Sequence, residues 1–178
     1  QSKDWVNGVF VGSAMASETT AAAAGAVGVV RRDPMAMLPF CGYNMGDYFR
    51  HWLDMGIKLG DKAPKIFNVN WFRTDDEGNF IWPGFGDNMR VLNWIIDRCE
   101  GKADAEETAI GYVPKPEDID LTDLDMDMDT LKSILKVDKD VWTKEAAEIE
   151  EHYKKFGDKL PEELREQLNN LKASLEKM

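Results

Sequence analysis

Residues 68–88 read NVNWFRTDDEGNFIWPGFGDN and place three phenylalanines and two tryptophans among glycine, proline and asparagine. A core distributes aromatic rings on periodic faces, whereas a pocket for a flat ring carries them on loops beside glycines that permit close approach. We predict a β-hairpin with strands over residues 66–72 and 80–82, joined by a turn at residues 74–79. Asp87 or Asn88 can then cap a helix that runs beyond residue 96.

The ends of this hairpin suggest a slot for a purine base. Phe72 and Phe85 lie where their rings can clasp a base, and Asn88 offers a carbonyl and an amino group to the edge of the base. The alternative is that these rings form an ordinary core beside a tight Pro-Gly turn, because aromatic clusters are more often core than ligand sites. The pattern alone leaves both interpretations open.

Five ordered blocks of sequence carry a resemblance to a known family. They are GVFVGSAM at residues 8–15, DPMAM at 33–37, FCGYN at 40–44, PKIFNVNWFR at 64–73 and WPGFGDN at 82–88. Over essentially the whole chain they resemble the C-terminal part of GTP-dependent phosphoenolpyruvate carboxykinase. The resemblance implies a mixed α/β fold, the C-terminal portion of a carboxykinase-type mononucleotide-binding domain. In it, sheet strands have flanking helices, and an acidic, all-helical end closes the chain.

The resemblance also implies which residues contact a nucleotide. Phe72, Phe80 and Phe85 would surround the guanine base. The turn of Phe85, Gly86, Asp87 and Asn88 would contact the guanosine, with Asn88 hydrogen-bonding near the base. We therefore expect residues 66–100 to form the guanine pocket, as a hairpin followed by a helix.

An active-site lid is a second element that the resemblance implies. A lid of the Ω-loop type, with its hinge, would occupy residues 13–42 and shield the reactive enolate of pyruvate from water. Many family members carry Arg where Ala16 stands, so a latching contact from that side chain is absent or supplied elsewhere. Residues 13–28 are mostly small. From the residues alone, this tract is either a helix that Ser17 or Thr19 caps or a mobile loop. The lid residues would be Ser17, Glu18, Thr19, Thr20, Ala21, Ala22, Ala23, Gly25 and Gly28.

The family's reaction requires parts that this sequence does not contain. The family converts oxaloacetate and GTP to phosphoenolpyruvate, GDP and carbon dioxide, or the reverse, with Mn²⁺ and Mg²⁺. The sequence has no G-x-x-x-x-G-K-[ST] motif and no plausible His/Asp metal cluster. In the family those parts precede the position of Gln1. We therefore expect no catalytic residue or metal ligand in this chain, and no activity from the chain alone.

The expected partners are a guanine nucleotide and the remainder of the carboxykinase chain. Two alternatives remain: a non-catalytic nucleotide-binding fragment, and an acidic protein-interaction domain whose aromatic loop is core. The net charge of −11 lies in residues 100–151, which hold 17 acids and 6 bases. That acidity argues against a nucleic-acid partner. Without an export signal, a metal-type cysteine spacing or an apolar stretch of membrane-spanning length, the cytoplasm is the expected location.

The remaining pattern predicts one partial domain over residues 1–178 with an acidic helical end at 118–178. We expect a buried strand at residues 5–12, which suggests the middle of something larger, and a helix at 46–59. A polar loop should cover 103–108 and a short strand 110–114. The acidic run from Asp125 fails as a calcium loop because Thr130 and Lys136 occupy its sixth and twelfth positions. Asp127 or Asp129 more simply caps a helix, and apolar stripes at 142–156 and 164–178 predict two more.

Overall fold

The computed structural model of the chain describes residues 1–18 and 30–178, with only the backbone given for Ser17 and Glu18. The described part contains six α-helices and four three-residue strands. The helices are α1 (Trp5–Ala14), α2 (Met45–Leu59), α3 (Asn88–Glu100), α4 (Met128–Leu135), α5 (Lys139–Tyr153) and α6 (Glu162–Glu176). The strands are β1 (Ala16–Glu18), β2 (Val30–Arg32), β3 (Glu106–Thr108) and β4 (Gly111–Val113). No helix in these described ranges is long and apolar enough to cross a bilayer.

The described residues divide into two compact units. We call Ser2–Ile66 together with Lys139–Met178 the helical unit, and Gln1 together with Phe67–Asp138 the aromatic unit. The expected acidic end at residues 118–178 is therefore shared between the units. A mixed α/β composition is confirmed in its coarse form, mostly helical with small antiparallel sheets; the domain boundaries stay predictions.

The helical unit is a small bundle in which α1 packs against α2 and α6, and α6 also packs against α5. The predicted helix at 46–59 is confirmed, with Asn44 as its cap, since the Asn44 Oδ1 accepts from the Gly46 N–H at 2.8 Å. The two predicted apolar stripes are confirmed as helical core faces. Their buried members are Ala146, Ile149, Tyr153, Phe156, Leu164, Leu168, Leu171 and Leu175.

The strand predicted at residues 5–12 is wrong, because this segment is helix α1. Asp4 caps the helix, accepting from the Asn7 N–H at 2.7 Å. A Cβ on Gly8 would overlap Ile66, so the glycine permits a close approach that buries the helix on more than one side. A helix buried in this way reads as a continuous apolar run, which periodicity does not separate from a buried strand.

Strands β1 and β2 pair antiparallel, with Ala16 opposite Arg32. Arg32 fastens this pair to its surroundings: it donates to the Ala14 carbonyl at 3.0 Å and forms ion pairs with Glu145 and Glu148 of α5. Two predicted lid residues, Ser17 and Glu18, lie in β1. The others, Thr19, Thr20, Ala21, Ala22, Ala23, Gly25 and Gly28, lie outside the described residues, so the choice between helix and loop stays open there.

The aromatic unit has its core around Trp94 of α3, Ile119 and Leu131 of α4. The predicted helix is confirmed as α3 and ends at Gly101, which takes the left-handed φ of 72°. Its predicted capping bond is not formed, because Asp87 occupies the cap position without a side-chain hydrogen bond to the helix backbone and Asn88 is already helical. Asp127, one of two predicted caps, accepts from the Thr130 N–H at 2.7 Å at the start of α4. The short strand predicted at 110–114 is confirmed as β4, but it pairs with β3, which falls in the expected polar loop.

The hairpin predicted around residues 66–82 is only partly formed. Residues 66–72 are not a strand, and a single bridge joins Thr74 to Phe80. Side chains explain the difference, because they take backbone N–H groups that a ladder would use. Asn70 accepts from the Phe72 N–H at 2.9 Å, and Asp75 accepts from the N–H groups of Glu77 and Asn79 at 3.0 and 2.8 Å.

Candidate guanine-nucleotide site

The turn of the aromatic hairpin is held by one carboxylate. Asp75 receives N–H groups from Asn79 and Glu77, and its own N–H donates to the Asn79 carbonyl at 2.9 Å. Hydrogen bonds to the charged form, with the Asn79 backbone N–H first, hold the pKa of Asp75 below its ordinary value. The Ile81 N–H also reaches the Arg73 carbonyl at 2.9 Å, so the two arms stay in register.

Phe72 and Phe80 lie together on this hairpin. Their ring centroids are 5.9 Å apart and their planes cross at 61°, an edge-to-face pair. The side chains are nevertheless 71% and 64% exposed. An apolar pair facing water offers a surface on which another flat ring can stack.

Phe85 is 93% exposed and begins a 3₁₀ turn, Phe85–Asp87, that leads into α3. The turn starts from Gly84, whose φ of 119° strongly favours glycine. Gly86 borders open space, since a Cβ there would meet nothing within 4 Å. The interpretation of these rings as core is therefore wrong for Phe72, Phe80 and Phe85.

Trp82 is the buried ring of residues 68–88, at 7% exposure, and it contacts one residue of the predicted site, Asn88. Its indole Nε1 donates to the Asn88 Oδ1 at 2.9 Å. Because an indole N–H only donates, it fixes which way the Asn88 amide is turned. The Asn88 oxygen is therefore engaged by Trp82, and the amino group is the part of the amide left for another partner, whereas the sequence analysis offered both the carbonyl and the amino group.

The Asp87 carboxylate is engaged in an ion pair, so it supports the fold around the candidate site and is not free for a ligand. It pairs with Arg90 at 2.9 Å, and Arg90 also donates to the carbonyls of Asp120 and Thr122 at 2.6 and 2.9 Å. These bonds fix the first turn of α3, which carries Asn88. Arg73 likewise ties the hairpin to the Ile134 carbonyl at the end of α4.

Three residues important to this geometry were not predicted from the sequence: Trp82, Arg90 and Arg73. Trp82 had a weak signal, because a buried tryptophan needs an acceptor and Asn79 and Asn88 are both amides close to it along the chain. Arg90 had a partial signal in its i,i+3 spacing from Asp87. Arg73 had none, and the other partners of Arg90 had none, since these are backbone carbonyls about 60 and 30 residues away in sequence. Such contacts appear only when the fold is known.

An open depression of about 460 Å³ lies beside the hairpin. None of the six predicted nucleotide-contacting residues lines it, and its walls include Asp125 and Asp127. Carboxylates repel phosphate, so this depression does not suit a nucleoside phosphate. Asp127 is in any case engaged as the α4 cap. Among the residues that the structure describes, no cluster of His, Cys, Asp or Glu has the arrangement of a metal site.

Comparison with known proteins gives the family. Residues 1–174 match the family model described as phosphoenolpyruvate carboxykinase C-terminal P-loop domain. The chain is 59% identical over 177 residues to a protein of Renibacterium salmoninarum, 57% over 176 to one of Paenarthrobacter aurescens and 52% over 178 to one of Treponema pallidum. All three are named phosphoenolpyruvate carboxykinase [GTP].

The match covers nearly all of this chain but only a small part of each relative. It covers 98% of this chain in each of these three cases, but the chain spans only 29% of the length of each relative. A family model that matches nearly every residue, together with identities above half, establishes membership. The chain belongs to the GTP-dependent phosphoenolpyruvate carboxykinase family and corresponds to part of the C-terminal domain.

Proposed function

We propose that this chain is the guanine-recognition part of a GTP-dependent phosphoenolpyruvate carboxykinase, which interconverts oxaloacetate with GTP and phosphoenolpyruvate with GDP and carbon dioxide. The observation that carries the proposal is the exposure of Phe72, Phe80 and Phe85 beside an oriented Asn88 amide. Family membership supports the reaction class. A cytoplasmic setting is part of the proposal.

Stacking supplies the affinity for the base in this account. Base–aromatic stacking contributes about 1–3 kcal/mol per base and does not distinguish one purine from another. The exposed edge-to-face pair of Phe72 and Phe80 provides one surface, and Phe85 on the 3₁₀ turn provides a second. Gly86 leaves room for the ribose side of the ligand, because a Cβ at this position would meet nothing within 4 Å.

The Asn88 amide supplies the discrimination. Trp82 holds the amide oxygen, so the amino group is the part that can meet the base. Guanine carries an acceptor, O6, where adenine carries an amino donor. An amino group on Asn88 therefore bonds guanine and faces an unpaired donor in adenine, and such a mismatch is costly in a site built for a hydrogen bond.

The chemistry of the reaction belongs to residues that this chain does not hold. Mn²⁺ and Mg²⁺ are the metals that the family uses, but no described cluster of this chain fits either ion. We propose that the lid residues, Ser17 to Gly28, protect the enolate when they belong to a full-length enzyme. We also propose that the isolated 178-residue chain is inactive and binds guanine nucleotides weakly. Turnover by the purified chain alone would contradict the first statement.

A nucleotide series tests the recognition proposal. The protein is a chimaera in which this chain replaces the matching 177 residues of the Renibacterium salmoninarum relative. Calorimetry compares GDP, IDP and ADP for the parent chimaera and for Asn88→Asp. Asn169→Asp on the exposed face of α6 is the matched control.

The base of IDP keeps O6 and lacks the guanine amino group, so IDP tests the contact between the Asn88 amino group and O6 by itself. We expect Asn88→Asp to weaken the binding of GDP and IDP about tenfold or more, the scale of a lost hydrogen bond with a repelled acceptor. The binding of ADP should not weaken, because the carboxylate can accept from the adenine amino group. The control should change none of the three. Equal losses for all three nucleotides, or none for GDP, would refute the assignment of Asn88.

A further inference from the structure

Helix α3 presents a second apolar face to solvent, separate from the face that it packs into the core. Its inward side carries Trp94, which contacts the cluster with Ile119 and Leu131. Its six exposed positions are spaced by three and four residues, so they form one continuous stripe. They are Met89, Leu92, Asn93, Ile96, Cys99 and Glu100. We call this set the outer face of α3.

The outer face lacks the charge that other exposed helix faces of the same chain carry. Only Glu100, at the last position of α3, is charged. On α6, four of the seven exposed positions are charged: Glu162, Arg165, Glu166 and Glu176. A helix that is apolar on both sides is buried in the assembled protein, whereas a solvent face carries charge, as α6 does.

A nucleotide at Asn88 does not account for this surface. Ile96 lies eight residues further along α3, about 12 Å at the rise of an α-helix. The base contacts proposed above end at the first turn of the helix. The outer face therefore needs a macromolecular occupant.

We infer that the outer face of α3 is covered by the part of the carboxykinase polypeptide that this chain lacks. The chain spans 29% of the length of its relatives, which leaves a large remainder within the same protein. A second copy of the chain fits less well, since both copies carry a net charge of −11 and repel each other. The inference rests on the proposed function only in assuming the longer polypeptide of the family.

Cys99 is an exposed thiol within the outer face and reports on its burial. The experiment measures the alkylation rate of Cys99 by mass spectrometry of its peptide, without nucleotide, in the 178-residue chain and in the chimaera defined above. We expect alkylation at least about tenfold slower in the chimaera, because the thiol becomes accessible only through opening. Equal rates in the two proteins would overturn the inference. Protection that appears in the 178-residue chain as its concentration rises would overturn it too, by indicating self-association.

A pair of substitutions gives a second readout that does not depend on Cys99. Leu92→Glu with Ile96→Glu should leave the thermal midpoint of the 178-residue chain nearly unchanged and lower that of the chimaera by several degrees. Asn169→Glu with Ala173→Glu has the same spacing on exposed α6 and should be neutral in both proteins. A large loss in the 178-residue chain would show that the face is already packed there, and no loss in the chimaera would show that nothing covers it; either result overturns the inference.

Neither readout uses a nucleotide, so the two proposals fail separately. If the chimaera protects Cys99 but does not bind GDP, the covered face stands and guanine recognition falls. If it binds GDP through Asn88 while Cys99 reacts at the rate of the 178-residue chain, guanine recognition stands and the covered face falls.

Discussion

The indole N–H of Trp82 donates to the side-chain oxygen of Asn88 at 2.9 Å, and this bond sets the direction of the amide. Trp82 is buried, whereas the three phenylalanines around it in sequence are exposed. Of the five rings in the stretch, Trp82 is buried and the three phenylalanines are open to solvent. The fifth, Trp71, is partly buried, with its ring centroid 6.4 Å from that of Trp82. Recognition of the base, in our account, depends on this division.

Trp82→Phe should reduce the preference for guanine in the chimaera. The ring remains but the donor is lost, so the Asn88 amide is free to turn and to present either its oxygen or its nitrogen. We expect the ratio of GDP to ADP affinity to fall about tenfold, the value of one hydrogen bond. Calorimetry measures both affinities, with Trp142→Phe in α5 as the control. An unchanged ratio would mean that Trp82 does not orient the amide.

Phe85→Ala should separate binding from folding. Because the side chain is 93% exposed, its loss should change the free energy of unfolding by less than about 0.5 kcal/mol. Loss of a stacking ring should weaken the free energy of GDP binding by about 1–3 kcal/mol. Phe40→Ala, at 89% exposure in the helical unit, is the matched control and should not affect GDP. Loss of stability without loss of GDP affinity would indicate a structural ring.

His152 should make the stability of the chain sensitive to acid. It is buried against the rings of Tyr153 and Phe156. Burial, and then the nearby positive charge of Lys155, lower the pKa of His152 from 6.5 to about 4. Well above pH 6.5 both the folded and the unfolded chain carry this histidine neutral, so its titration costs no stability there.

As the pH falls from 6.5 toward 4, the unfolded chain takes up a proton that the folded chain refuses, and stability is lost. The loss assigned to His152 should be about 2–3 kcal/mol between pH 7 and pH 4. Urea unfolding at the two pH values measures it, and His152→Leu should remove that part of the difference. His51→Leu, at the exposed histidine of α2, is the control. The same pH difference in the His152 variant as in the parent would contradict the prediction.

Tyr153→Phe should test the hydrogen bond that joins α1 to α5. The Tyr153 hydroxyl and the Ser13 Oγ lie 2.6 Å apart in the buried interior, and Ser13 also donates to the Phe10 carbonyl at 2.8 Å. We expect a loss of about 1 kcal/mol in the free energy of unfolding, since Ser13 keeps its second partner. Tyr43→Phe, at an exposed tyrosine, should be neutral in the same urea titration. A neutral Tyr153→Phe would show that this bond adds nothing net.

Local signals predicted most of the helices. Periodic apolar stripes located α2, α3, α5 and α6, and the Asp127 cap located α4. The failure at α1 arose because Trp5 to Gly12 is apolar on successive positions, and only the close packing of Gly8 on Ile66 shows why a helix can be so. The strand predicted at residues 66–72 failed because Asn70 and Asp75 bond the backbone locally.

The sequence indicated the exposed rings of the candidate site, but it did not indicate the polar geometry around Asn88. The density of Phe72, Phe80 and Phe85 beside glycines indicated a binding surface, and their exposure agrees with that. The orientation of the Asn88 amide depends on Trp82, and the placement of the first turn of α3 depends on Arg90 bonding to a distant loop. Pairings between residues distant in the sequence are set by the whole fold.

The central claim is that Phe72, Phe80 and Phe85 hold a guanine base, and NMR tests it most directly. The 178-residue chain, labelled on phenylalanine rings and asparagine amides, is titrated with GDP into the millimolar range, where stacking alone gives measurable occupancy. We predict shifts of these three rings and of the Asn88 amino protons, with Phe40 unmoved and a weaker response to ADP. A folded sample in which GDP moves none of the three rings would contradict the account.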